Sequence, residues 1–152
     1  MKKQQVIFDK IKAILIIHLN KIINEYENGS NLSLGDTGIW ISFDEKELTI
    51  GYGFFHKHYD PEFDNMADAI SEFFDLLTKR KKLTTYYKGS VQFKNIAEIE
   101  IGDNQFKYLG ASNAWLYPFW KKSIVKVTFY DKLLDANSIQ EQIDEIKYYA
   151  QQ

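Results

Sequence analysis

The stretch Gly38-Ile-Trp-Ile-Ser-Phe-Asp-Glu-Lys-Glu-Leu-Thr-Ile-Gly-Tyr-Gly-Phe54 decides the fold class of this chain. On both sides of Asp44-Glu45-Lys46, every second residue is apolar. A two-residue period is typical of β-strands, so strands are predicted over residues 38–43 and 47–54. The short polar connection between them predicts an antiparallel hairpin, with Trp40 on the face opposite to Ile39.

Helices are predicted before, between and after strands. Apolar residues at helical spacing predict a first helix over residues 5–28, which Asn28-Gly29 would cap, followed by a polar loop over 30–36. A second helix is predicted over 65–80, and a third begins at Asn137 or Ser138. The remaining candidate strands are 83–87, 90–93, 97–101, 106–109 and 123–130. The expected fold class is therefore α+β, a largely antiparallel sheet with N-terminal, middle and C-terminal helices.

Composition limits the class of protein more than it defines a function. The chain has 152 residues, of which 45% are hydrophobic, and only 2 prolines, which predicts a single globular domain over residues 1–152. With no cysteine there is neither a disulfide nor a thiolate site. A net charge of -2 argues against a generally basic nucleic-acid binder. Charged residues interrupt the apolar runs near the start, so we expect no export signal, no membrane helix and a cytoplasmic location.

One group of residues has the composition of a metal site. His56, His58 and Asp60 alternate, so in an extended strand all three side chains would project from one face, where two imidazoles and a carboxylate can hold a metal ion. The competing interpretation is a strand end whose polar tips reach water. Phosphate-binding loops and nucleophile elbows are absent from the sequence. We therefore expect no enzyme activity and no cofactor, with a small metal-dependent hydrolase as the alternative.

Charge is distributed unevenly along the chain. Residues 31–78 contain ten acidic and two basic side chains, whereas residues 79–94 contain six basic and no acidic ones. The hairpin and the second helix are therefore predicted to form an acidic surface, which attracts basic partners and can mimic phosphate charge. The alternative is an ordinary solvated face.

Aromatic residues are dense in Trp115-Leu-Tyr-Pro-Phe-Trp120, next to Lys121-Lys122. Indole and phenol groups are favoured at protein interfaces because they supply large contact area at low entropic cost. The alternative is a wide loop folded back on the core.

Three segments together resemble a known family. They are Gly51-Tyr-Gly-Phe-Phe-His-Lys-His-Tyr-Asp60, Ala67-Asp-Ala-Ile-Ser-Glu-Phe-Phe74 and Thr85-Tyr-Tyr-Lys-Gly89. This pattern resembles small immunity proteins of bacterial polymorphic-toxin systems, including contact-dependent growth inhibition. It covers residues 38–94 and, more faintly, 118–121. The resemblance implies a non-enzymatic cytoplasmic inhibitor that covers the active site of a cognate C-terminal toxin domain, often a nuclease. From charge and the lack of a membrane span we expect no direct binding of nucleic acid or of a membrane.

The residues expected to contact a partner follow from charge and exposure, because such contacts are specific to each toxin pair. They are Asp60, Glu62, Asp64, Asp68, Glu72 and Asp75, with Trp115 and Tyr117 as possible anchors. An acidic surface suits a nuclease, whose cleft is positive in order to hold phosphates. A generic interaction or ligand-binding domain is the remaining alternative.

Overall fold

Three helices and nine strands, all antiparallel to their neighbours, confirm the α+β class in the computed structural model, which describes residues 1–152. The strands form two sheets. By its internal contacts the chain divides into two units, Met1–Thr78 with Leu134–Gln152 and Lys79–Leu133, which are described one at a time. The single globular domain predicted over residues 1–152 stays a prediction.

The first unit has three helices and a five-stranded meander in the order β1-β2-β3-β4-β5. Helix α1 contacts β3 and α3, and α2 contacts β4 and α3. Phe8, Ile41 and Phe73 are completely buried, so the core lies between the helices and the apolar side of the sheet. The elements are α1 (Lys3–Leu19), β1 (Ile23–Tyr26), β2 (Asn31–Leu34), β3 (Ile39–Phe43), β4 (Leu48–Tyr52), β5 (Phe55–Tyr59), α2 (Met66–Thr78) and α3 (Ala136–Gln151).

The predicted hairpin is confirmed as β3 and β4, with Ile41 opposite Ile50. Trp40 lies opposite Gly51, on the face away from Ile39, as expected. The predicted end of the second strand at Phe54 is wrong. The strand stops at Tyr52, and Gly53, at a φ of 60°, opens a two-residue turn into β5.

The predicted first helix is too long. Helix α1 ends at Leu19, and the residues that follow form the antiparallel hairpin β1–β2, so the loop predicted over 30–36 is partly strand. Asn28 and Gly29 do take left-handed φ values of 57° and 87°, but they close this hairpin instead of capping a helix. At 17 residues α1 is the longest helix, and none of the three is long and apolar enough to cross a membrane.

The second unit is a four-stranded sheet in the order β8-β7-β6-β9. The segments predicted over 90–93 and 97–101 belong to one long strand, β7, whose pairing with β8 contains bulges. Strand β9 pairs with β6 along its whole length and lies at the edge of the sheet. The strands are β6 (Lys81–Lys88), β7 (Val91–Gly102), β8 (Gln105–Asn113) and β9 (Ser123–Tyr130).

Candidate functional site

The acidic segments of the first unit leave the sheet at one end. Leu48, at the start of β4, lies opposite Tyr59, at the end of β5. The turn 44–47, with three acidic residues, and the turn 60–64, with three more, therefore emerge side by side. This register gathers negative charge that the sequence distributes over two separate turns.

Two of the predicted residues shape the turn after β5. Oδ1 of Asp60 accepts a hydrogen bond from the backbone N–H of Glu62 at 2.9 Å, and Oδ2 of Asp64 accepts one from the N–H of Asp60 at 2.8 Å. Asn65 then accepts from the N–H of Ala67 at 3.0 Å, at the start of α2. Asp60 and Asp64 are therefore held in place by the backbone, whereas the Glu62 side chain is exposed.

Helix α2 continues the acidic surface. Asp68, Glu72 and Asp75 are spaced by four and three residues, which places them on one side of the helix. Asp68 is exposed, and Glu72 and Asp75 are half-buried. With Asp64, these residues are called the acidic face below.

Tyr59, at the end of β5, is influenced by the negative charge of the acidic face. Its hydroxyl is buried and has no hydrogen bond of acceptable geometry, although Glu72 lies close to it. Burial first, then Glu72, and then the negative charges of Asp68 and Asp64 raise the pKa of Tyr59 far above its usual value. The phenol therefore stays neutral, and it lies within the electrostatic reach of Asp64, Asp68 and Glu72.

One cation of the first unit reaches the acidic face. Nζ of Lys57, on β5, lies 2.7 Å from Oε1 of Glu72 and 4.8 Å from the centre of the Tyr59 ring. Both charged side chains are substantially exposed, so the pair contributes little to stability. Lys57 marks a position where an ammonium group is attracted by carboxylates and by an aromatic ring at once.

Two cations of the basic stretch after α2, Arg80 and Lys82, form ion pairs inside the second unit. Arg80 donates to both carboxylate oxygens of Glu100, at 3.1 and 2.9 Å, and to Oδ1 of Asn104 at 3.0 Å. Lys82 pairs with Glu98 at 3.0 Å. Two of the six cations of residues 79–94 are thus matched by glutamates of β7, which weakens the case for a basic nucleic-acid surface.

Replacing Arg80 with lysine is expected to lower the free energy of unfolding by about 1 kcal/mol, because lysine keeps the charge but loses the two-pronged contact with Glu100. The guanidinium also lies 5.0 Å from the ring centre of Phe129, a contact that lysine reproduces poorly. Urea denaturation measures the change. Lys107→Arg, at an exposed position of β8, is the control and should leave stability unchanged; an equal effect of both variants would contradict the assigned role.

The alternative metal site is not assembled. Nδ1 of His58 contacts Oε1 of Glu47 at 2.5 Å and the Thr49 hydroxyl at 3.1 Å, while Asp60 is held in the turn. His56 and His58 stack edge to face, 5.0 Å apart between ring centres. No group of three or more histidine, aspartate or glutamate side chains is arranged to hold a metal ion. His56, His58 and Asp60 are therefore close in sequence without forming a ligand set.

The two aromatic residues predicted as anchors lie in different environments of the second unit. Trp115 is 92% exposed. Tyr117 is half-buried and stacks on Phe93, with ring centres 4.6 Å apart, so it fixes the loop between β8 and β9. Of the two, Trp115 is the one that is free to enter a partner's pocket.

Sequence reasoning missed the place of one aromatic residue of the first unit and the packing of another. The first is Tyr59, although its place in the strand immediately before the acidic turn is a usable signal. The Trp40 indole lies flat over Gly51 and donates from Nε1 to the carbonyl of Gly53 at 3.1 Å. A tryptophan directly opposite a glycine on the neighbouring strand indicates this packing. Such a pair can be found in a sequence only when the register of the hairpin is known.

Comparison with known proteins found no matching family model, no significantly similar curated sequence and no significantly similar solved structure. The function therefore rests on the geometry and chemistry described above.

Proposed function

We propose that this chain is an immunity protein that binds a cognate bacterial toxin domain, a nuclease, and neutralises it by covering its basic cleft with the acidic face. The observation that carries the proposal is that the two acidic turns emerge side by side from β4 and β5, and that Asp68 and Glu72 lie on one side of the helix that follows. The resemblance to immunity proteins of polymorphic-toxin systems points to the same activity from the sequence alone.

The acidic face favours a cationic partner for a physical reason. Carboxylates on one surface repel each other, and the ion pair of Lys57 with Glu72 relieves part of this repulsion. An arginine or lysine of the toxin placed among them relieves the rest and gains charge-assisted hydrogen bonds. Nuclease clefts carry such side chains to hold phosphates, so the carboxylates would compete with the nucleic acid for the same cations.

A rigid support makes this contact specific. Backbone hydrogen bonds hold Asp60 and Asp64, and helix α2 holds Asp68 and Glu72 at fixed spacing. Little side-chain freedom is lost when such groups bind, which favours affinity. Glu62 and Asp75 extend the same surface, and Trp115 of the second unit supplies a separate, apolar anchor.

Charge changes of opposite sign test the proposal. Asp68→Lys is expected to weaken binding to the toxin about tenfold, which corresponds to about 1.4 kcal/mol, because it places an ammonium where the partner's cation would lie. Lys57→Gln is expected to strengthen binding, because it removes the chain's own cation from the acidic face. The toxin domain is obtained by co-expression and pulldown with the neighbouring gene product, and affinity is measured by calorimetry at two ionic strengths.

Glu141→Lys, at an exposed position of α3, changes the net charge equally and serves as the matched control. Wild-type affinity should fall as salt rises, and the Asp68→Lys protein should show a shallower dependence. Equal losses for Asp68→Lys and Glu141→Lys would mean that net charge alone matters and would contradict the proposed surface. Tight binding of the toxin that does not change with salt concentration would also contradict the proposed surface.

A further inference from the structure

Strand β9 leaves one side of its backbone unpaired. It pairs with β6 over all eight residues without a bulge, and no strand follows it in the sheet. The strand contains no proline. Its outer side therefore presents a regular row of N–H and C=O groups, which natural proteins normally interrupt, cover or pair with another strand.

The side chains of β9 are unusually apolar for an exposed edge. Val125, Val127 and Phe129 point to one face of the sheet and are 53%, 48% and 52% exposed. Ile124 and Tyr130 point to the other face and are also exposed. An open edge with a continuous apolar row is the surface on which another strand gains both hydrogen bonds and hydrophobic contacts.

We propose that β9 pairs antiparallel with β9 of a second copy of this chain, about a two-fold axis at Val127. The two four-stranded sheets would then join into one sheet of eight strands. Val127 faces its own counterpart, and Val125 faces Phe129 of the second copy, so the apolar row runs across the axis without interruption. On the other face Ile124 lies opposite Tyr130, and Lys126 lies opposite Thr128.

The self-complementarity of this register argues for a second copy as the occupant. Directly opposite residues in an antiparallel pair point to the same face of the sheet. In a symmetric pair they are therefore an even number of residues apart along the strand, and the two-fold axis passes through a residue, not between two. An axis at Lys126 places two ammonium groups opposite each other, and an axis at Thr128 places Val125 opposite Asp131. Only the axis at Val127, among these central positions, matches apolar with apolar residues and leaves no like charges opposed.

The pairing is independent of the proposed immunity function, since it uses the residues of β9 alone and neither the acidic face nor Trp115. The two proposals are also tested by different measurements, self-association here and toxin affinity above. Failure of one therefore leaves the other standing.

A single cysteine tests the register, because the chain has none of its own. In Val127→Cys the two thiols would face each other with Cα atoms about 5 Å apart, a separation that a disulfide spans. Val125→Cys is the matched control: it lies on the same face with similar exposure, but its two copies would be about 13 Å apart, four residues along the strand. Mild oxidation should therefore link the first variant into dimers and leave the second monomeric.

Mixtures of two variants test the same register of the β9–β9 pair. Val125→Cys should form disulfide-linked heterodimers with Phe129→Cys, because these positions face each other. Val127→Lys and Val127→Glu should each be monomeric by sedimentation velocity and should associate when mixed, because the axis then brings opposite charges together. Equal cross-linking of Val127→Cys and Val125→Cys, a dimer that persists in Val127→Lys, or a wild-type monomer at every soluble concentration would each overturn the proposal.

Discussion

The Gly51→Ala variant is expected to lose about 2 kcal/mol of its free energy of unfolding. A β-carbon at Gly51 would lie 1.9 Å from an indole carbon of Trp40, far inside van der Waals contact. The indole must then swing away, losing its packing and its hydrogen bond to Gly53, or β3 and β4 must separate. Urea denaturation followed by far-ultraviolet circular dichroism measures the loss.

A double-mutant cycle separates this steric conflict from a general effect of alanine at residue 51. Trp40→Ala alone is expected to lose a similar amount, because it removes the packing of the indole. In the Trp40→Ala protein, Gly51→Ala is expected to be neutral or to stabilise by about 0.5 kcal/mol, since glycine is unfavourable inside a strand. Additive losses from the two substitutions would show that the indole does not depend on Gly51.

The hairpin at the centre of the first unit was predictable because its pattern is local. Alternation on both sides of Asp44-Glu45-Lys46 fixes the strands, and Asp44 also closes the turn, accepting backbone hydrogen bonds from Lys46 and Glu47 at 2.7 and 2.9 Å. These two hydrogen bonds lower the pKa of Asp44. Sequence and structure agree here since the same few residues determine both the strands and their connection.

The N-terminal error has an identifiable cause. Ile22, Ile23 and Tyr26 continue the helical spacing of α1, so periodicity alone extends the helix past Leu19. These β-branched and aromatic residues also suit a strand, and pairing of β1 with β2 decides between the two. The predicted cap at Asn28-Gly29 is wrong although both residues take left-handed backbone, because a tight turn and a helix cap use the same residues.

The acidic face was only partly predictable. Counting charges along the chain identifies Asp64, Asp68 and Glu72, because the residues are close in sequence. The contact of Glu72 with Lys57, and of Lys57 with the Tyr59 ring, depends on how α2 packs against the sheet, which no local pattern contains. The pairing of Arg80 with Glu100 was missed for the same reason, since it depends on the register of β6 and β7.

Lys81→Met is expected to raise the free energy of unfolding at pH 7 by about 2 kcal/mol, because replacing a buried charge with an apolar side chain of similar length removes a desolvation penalty. Lys81 is 2% exposed and lies across the sheet between Ile99 and Tyr130. Its ammonium donates to the carbonyl of Lys79 at 2.9 Å, which limits the gain. Thermal and urea denaturation of both proteins measure the difference.

The pH dependence of that difference distinguishes a buried charge from a simple gain in packing. Burial lowers the pKa of Lys81 to about 8, against the opposing attraction of Asp131, whereas the unfolded chain keeps a pKa of 10.5. Between these values the unfolded state holds one more proton than the folded state, so the stability of the wild-type protein rises with pH relative to the variant. The advantage of Lys81→Met should therefore be full below pH 8 and shrink towards pH 10.5. Lys82→Met, which breaks the ion pair with Glu98, is the control and should be destabilising at pH 7. If the advantage of Lys81→Met stayed constant with pH, the charge of Lys81 would not differ between the folded and the unfolded protein, which would contradict the assignment of a buried charge.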